Sequence, residues 1–225
     1  MGHLPTADRS PAAASEQSLR KPTDGYLAQL DRNLSIAISK RLAGTKVTPN
    51  QLTSAGLAIG LLGAASLATG RYSGMLLGSS LLWASSVLDG CDGELARLKS
   101  LCSESGARYD LIADHLINFA TFAAVVEALR RTRPDFPWAP AGLLLLSGIL
   151  LSMWTVWRFI LRPGSGRELP LFFERLASRD FVYVLLLFVL LRRLEWFVWA
   201  AALGSHFFWI SLRLYRRTSP QSAAA

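Results

Sequence analysis

Cysteine and histidine are scarce in this chain: two cysteines and three histidines in 225 residues. Two thiols, Cys91 and Cys102, make no disulfide framework. His3, His115 and His206 are too scattered for a zinc site. His115 directly follows an aspartate and reads as a structural or headgroup residue. No Walker loop and no glycine-rich nucleotide turn occurs anywhere in the sequence. Acidic residues are also few, 16 against 24 lysines and arginines, for a formal net charge of +8. In so apolar a chain this excess points to basic loops against anionic headgroups and excludes nucleic acid as the first expectation. The N-terminus has no apolar core, so a cleaved signal peptide is not expected.

What the chain does have is apolar length. Hydrophobic residues make up 51% of it and the mean hydropathy is +0.30. Several runs are long enough to span a bilayer. The expected fold class is an all-α polytopic membrane protein, with six transmembrane helices preceded by an amphipathic interfacial helix. Residues 1–24, rich in Ala, Pro, Ser and charge, are expected to form a disordered cytoplasmic tail. Residues 25–46 hold the interfacial helix, where Leu27, Leu30, Leu34, Ile38 and Leu42 recur at helical spacing among charged residues. Residues 47–217 form the six-span domain, and 218–225 a flexible tail.

Thr48 is placed to cap the first span and Pro49 to occupy its first turn. Gly56, Gly60 and Gly63 space that span for close packing. The second span starts at Ser73, the third near Gly106, the fourth at Trp138. The fifth is centred on Phe181 to Leu191, with its helix expected to begin near Phe173. The sixth runs from Glu195 to Tyr215.

Carboxylates gather between the second and third spans. Asp89, Asp92, Gly93, Ala96 and Arg97 fall on one stripe of a helix. Gly106, Asp110 and Asp114 fall on a second stripe, which Asn118 extends. Carboxylates within or beside a membrane are costly and mark a functional site. The glycines and alanine allow two helices to approach, so the stripes are expected to face each other. Four facing carboxylates cannot all stay ionised without a cation. An all-oxygen ligand set suits Mg²⁺, Mn²⁺ or Ca²⁺.

Eighteen of the 24 lysines and arginines fall on the same side as these aspartates if the spans are counted as above. The positive-inside rule then places both termini and the acidic site in the cytoplasm. Divalent-cation ligands beside arginines are what phosphoryl transfer needs, with a spare carboxylate to accept the proton of an attacking hydroxyl.

Asp89 to Asp114 resembles the signature of the CDP-alcohol phosphotransferase family, D-x2-D-G-x2-A-R-x8-G-x3-D-x3-D, at every fixed position. Thr48-Pro49-Asn50 is similar to the way that family opens its first span, and the interfacial helix with six spans fits its architecture. The resemblance implies cleavage of a CDP-activated alcohol or lipid, transfer of the substituted phosphoryl group to an acceptor hydroxyl, and release of CMP. It implies Mg²⁺ or Mn²⁺ at Asp89, Asp92 and Asp110, with Asp114 completing the acidic set and serving as the base. It implies donor binding at Asp89, Gly93, Ala96, Arg97 and Gly106. It also implies a homodimer in a bacterial or archaeal cytoplasmic membrane and a role in phospholipid biosynthesis. Asp31 to Ser35, Thr48-Pro49-Asn50 and Ser178-Arg179-Asp180 look similar to members that handle inositol phosphates. On that reading Arg158, Arg162, Arg175 and Arg179 bind the acceptor's phosphate.

Two other readings stay open at this point. An intramembrane prenyltransferase also uses aspartates and Mg²⁺, but on two distant clusters; a second cluster is absent here. A cation channel or transporter would want carboxylates near the midplane and leaves Arg97 without a role.

Overall fold

The computed structural model describes residues 28–158 and 181–218. Those residues form seven helices: α1 (Ala28–Ala43), α2 (Pro49–Leu67), α3 (Tyr72–Leu98), α4 (Glu104–Thr132), α5 (Trp138–Val156), α6 (Phe181–Leu190) and α7 (Leu194–Thr218). Among them α4, α5 and α7 are long and apolar enough to cross a membrane, and α6 is a shorter apolar helix. The expected tail over 1–24, residues 219–225 and the start of the fifth span near Phe173 lie outside the described residues.

The start of α2 follows from local chemistry. Thr48 accepts from the Gln51 backbone N–H and the Gln51 side chain accepts from the Thr48 N–H, a reciprocal cap, with Pro49 in the first turn. α2 and α3 then run antiparallel through a tight turn. Gly70 sits at φ 71, a left-handed conformation, and a Cβ there would meet Thr132 at 2.9 Å. The pair crosses with backbones in contact: a Cβ on Gly78 would lie 2.6 Å from the Gly63 carbonyl oxygen. Only glycine permits that approach.

The main core joins α2 to α7. Leu67, Leu82, Val125, Leu129, Leu145, Leu185, Val189, Phe197 and Val198 are buried in it. Phe122 of α4 stacks on Phe181 of α6, ring centroids 5.0 Å apart. A smaller cluster of Leu52, Val87, Cys91 and Leu95 lies under α1, so Cys91 fills space between helices.

α1 packs on α3 largely by a polar face, a contact the leucine spacing did not indicate. Arg32, Ser35, Ile36 and Ser39 are buried, whereas Leu34 is 43% exposed. Ile38 and Leu42 lie at the margin of the contact, against the small cluster. A polar stripe therefore docks α1, and Leu34 is left to face outward. The reason is a carboxylate on α3, Glu94, which is fully buried and takes bonds from Arg32 Nη1 (2.9 Å), Ser35 Oγ (2.7 Å) and Ser39 Oγ (2.8 Å). At the outer end of α1, Asp31 accepts from Trp83 Nε1 of α3 and from the Tyr183 hydroxyl of α6.

Candidate active site

The acidic stripes lie on the last third of α3 and the first third of α4. α3 continues unbroken from Tyr72 through the aspartates to Leu98. From Tyr72 to Asp89 the helix rises about 25 Å, at about 1.5 Å per residue. The stripe thus sits near the far end of a bilayer-length element. The chain reverses over Lys99–Ser103, with Ser100 at φ 55. Ser103 caps α4 by accepting from the Gly106 N–H at 3.1 Å. Lys99 Nζ donates to the carbonyls of Thr45 (2.6 Å) and Val47 (2.7 Å), which pins the α1–α2 link to this reversal.

The hairpin brings three of the predicted residues together. Asp89, Asp92 and Asp110 each offer a carboxylate oxygen, and these oxygens lie within 4.8 Å of one another. Asp92 is 4% exposed; Asp89 and Asp110 are half-buried. Three like charges so close repel one another unless a cation joins them. Their all-oxygen chemistry and their opening on a cleft fit a hard divalent ion that keeps positions for other ligands. Asp92 is held from behind by α2: Thr53 Oγ1 donates to its Oδ2 at 2.6 Å.

Asp114 adjoins this trio without being one of the three. It lines a narrow crevice of about 10 Å³ with Asp89, Asp92, Thr53, Gly56, Ser85 and the α4 residues Ala113 and Ile117. That is room for about one water. The wall is fixed by Ser85 Oγ, which donates to the Gly56 carbonyl at 2.8 Å.

A larger cleft of about 190 Å³ opens on the other side of Asp92 and Asp110. Gly93, Ala96 and Arg97 of α3 line it, as do Gly106 and Ala107 of α4 and Pro49, Asn50 and Thr53 of α2. Leu101, Cys102 and Ser103 close it from the reversal. A Cβ on Gly106 would come 3.3 Å from Asn50 Oδ1, so the missing side chain keeps this mouth open. The cleft therefore has two carboxylates at its inner end and a guanidinium in its wall. An anhydride-linked phosphate with a polar tail matches that lining.

The other predicted residues fall as follows. Arg158 is exposed just past the end of α5, and Arg162, Arg175 and Arg179 lie outside the described residues. His115 turns its Nδ1 to the Leu111 carbonyl of its own helix, 2.7 Å away. Sequence reasoning missed Thr53 and Glu94. Glu94 is adjacent to Gly93 yet points away from the aspartates, into α1. The available signal was the run Arg32, Ser35, Ser39, polar residues at helical spacing on a segment otherwise read for its leucines.

A model of the CDP-alcohol phosphatidyltransferase family matches residues 46–211. A bifunctional IPC transferase and DIPP synthase of Aquifex aeolicus is 36% identical over 121 residues, 53% of this chain and 27% of that protein. The protein of the same name from Thermococcus kodakarensis is 30% identical over 171 residues, 74% of this chain and 38% of that one. The chain thus spans between about a quarter and two fifths of the length of these relatives. The crystal structure of Mycobacterium tuberculosis phosphatidylinositol phosphate synthase, in complex with manganese and citrate, aligns with a TM-score of 0.64. It covers 83% of this chain and 90% of that one at 19% identity, a likeness of fold.

Proposed function

The chain belongs to the CDP-alcohol phosphatidyltransferase family, and we propose that it moves a substituted phosphoryl group from a CDP-alcohol to an acceptor hydroxyl, releasing CMP. One observation carries this reading: the oxygens of Asp89, Asp92 and Asp110 gather within 4.8 Å at a cleft that Arg97 also lines. The cleft is the donor site. Arg97 takes the diphosphate's charge, while Gly93, Ala96 and Gly106 leave the backbone open to the nucleotide. A divalent cation, Mg²⁺ or Mn²⁺, held by Asp89, Asp92 and Asp110 would neutralise donor phosphate oxygens. Asp114, beside its one-water crevice, takes the proton of the acceptor hydroxyl. The acceptor oxygen bonds to the phosphorus that bears the alcohol. The anhydride P–O bond breaks, and CMP leaves with its electron pair.

The proposed setting is a six-span, homodimeric membrane enzyme, with residues 47–217 as the catalytic unit and the aspartates and both termini facing the cytoplasm. Charge supports that orientation, because 18 of the 24 basic residues share the aspartates' side when six spans are counted. The proposed acceptor is an inositol phosphate, held by Arg158, Arg162, Arg175 and Arg179. Both relatives carry the name IPC transferase and DIPP synthase, which supports that choice.

The test is CMP release by the purified full chain with Mg²⁺ or Mn²⁺, a panel of CDP-alcohols, and lipid and inositol phosphate acceptors side by side. Asp114→Asn should lose activity by about 10²- to 10⁴-fold while still binding Mn²⁺. Asp92→Asn should lose both. No CMP from any pair rejects the activity, and undiminished CMP from Asp114→Asn rejects the assigned base.

A further inference from the structure

The end of the bundle away from the aspartates carries a second cavity, of about 140 Å³. The ends of four helices meet there: the start of α3, the end of α4, the end of α6 and the start of α7. Met75, Leu129, Phe188 and Val189 make an apolar floor, and two arginines, Arg133 and Arg192, stand among its lining with one carboxylate, Glu195. Among the described residues, the helix ends and turns at this end of the bundle carry Arg71, Arg130, Arg131, Arg133, Arg192 and Arg193 against Glu127, Asp135 and Glu195.

These arginines are not equally committed. Glu127 is saturated: Arg130 donates to it at 2.6 and 2.8 Å and Arg131 at 2.6 Å. Glu195 is held loosely, with Arg133 Nη2 3.8 Å and Arg193 Nη1 3.7 Å from its Oε1. Those distances exceed a charge-assisted hydrogen bond of about 2.7–2.9 Å. Arg192 is the odd residue. It occupies the α6–α7 turn at φ 55, a left-handed conformation that favours glycine or asparagine. Its guanidinium rests 4.2 Å above the Tyr72 ring, at the cavity's edge. A cation placed where glycine would be easier implies that the side chain itself is used.

We propose that this cavity binds an anionic phospholipid, with Arg133 and Arg192 on its phosphate and the glycerol end of its acyl chains over the apolar floor. Charge and position argue for a lipid. The pocket pairs cations with an apolar floor at the end of bilayer-length helices, the level where a headgroup meets its chains. A free phosphate would use the arginines and leave the floor without a role. The site stands about 25 Å of helix away from the aspartates, at about 1.5 Å per residue, and does not depend on the reaction assigned to them.

The test is native mass spectrometry of the full chain in a neutral detergent, titrated with dioctanoyl phosphatidylglycerol, dioctanoyl phosphatidylcholine or inorganic phosphate. Wild type should retain phosphatidylglycerol at least tenfold more tightly than phosphatidylcholine. Arg133→Gln/Arg192→Gln should lose that preference, and Arg130→Gln/Arg131→Gln, with the same change of charge on the same face, should keep it. Met75→Trp, which fills the floor and spares the arginines, should also lose it, and this covers a double variant that fails to fold. Equal retention of the two lipids, or equal loss in both double variants, overturns the site. Phosphate bound as tightly as phosphatidylglycerol overturns the lipid assignment.

Discussion

Arg32 of the first helix and Glu94 of the aspartate-bearing helix are joined at 2.9 Å, with side chains 8% and 0% exposed. Glu94 directly follows Gly93, which lines the cleft of about 190 Å³, so this pair ties the position of α1 to the helix that carries Asp89 and Asp92. Glu94 takes bonds from Arg32, Ser35 and Ser39 together, and removing one partner of a buried pair costs about 3–5 kcal/mol. Glu94→Ala should therefore lower stability by about that much in denaturant unfolding followed in detergent. Arg32→Met/Glu94→Met should lose far less. In that variant Ser35 Oγ still bonds the residue 32 carbonyl and Ser39 Oγ the Cys91 carbonyl. A Glu94→Ala protein as stable as wild type would show that α1 is not held by this pair.

Asp31 gives the same helix a pH dependence. Burial pushes its carboxyl above the ordinary range, and the Trp83 N–H works against that rise without reversing it. A carboxyl raised in the folded state favours folding most when protonated. That contribution is complete below the unfolded value of about 3.9 and is lost as pH rises through the higher folded value. At neutral pH the ionised group is thus a net cost of burial. Asp31→Asn keeps an acceptor for Trp83 and Tyr183 and removes the charge. Its melting temperature at pH 7 should equal or exceed that of wild type, and should change less between pH 4 and 7. Asp31→Ala, which removes the acceptor, should melt lower at both.

The acidic site was legible because it is local. The spacing from Asp89 to Arg97 and that from Gly106 to Asp114 each describe one helix face, and a short reversal brings the two faces together. Thr53 and Glu94 were not legible, because their partners lie 39 to 62 positions away. The face by which α1 docks on α3 was not legible either, for a physical reason. In a bilayer, apolar surface gains nothing by leaving lipid for protein, so small and polar residues mark the packed face. Leu34 therefore faces outward, and Arg32, Ser35 and Ser39 face inward. The same reasoning served α2 well: Gly60 and Gly63 meet Ile117 and Gly78 as their spacing implied. The distant arginines were visible only as an excess of charge. Their division into saturated and loosely held needed distances.

Thr53 aims Asp92. Its one hydroxyl hydrogen goes to Asp92 Oδ2 at 2.6 Å, in preference to the Pro49 carbonyl of its own helix, 3.2 Å away. Groups that orient a metal-binding carboxylate typically account for 10- to 100-fold in metal affinity or activity. Thr53→Val keeps the shape and removes the donor. It should weaken Mn²⁺ binding, read by titration calorimetry, by about tenfold or more. Thr53→Ser should bind within about threefold of wild type, since the lost methyl is a small packing change. Equal affinity in Thr53→Val would mean that Asp92 is oriented without this bond.

Cys102 reports on the cleft proposed to hold the donor. It is exposed and lines the cleft mouth beside Ser103, whereas Cys91 is buried between α1 and α3. A thiolate reacts only where reagent can reach it, so a maleimide should modify the folded protein at Cys102 alone. Cys102→Ser should abolish the labelling, and Cys91→Ser should leave it unchanged. On the proposed roles a CDP-alcohol bound with Mg²⁺ would fill the space beside Arg97 and Gly106, and should slow labelling at least tenfold in wild type. In Asp92→Asn, which on the proposed roles would lose both the cation and the donor, the same mixture should give no protection. Protection that survives Asp92→Asn would place the donor elsewhere than against these aspartates. Labelling that no donor slows would remove the cleft from the reaction path.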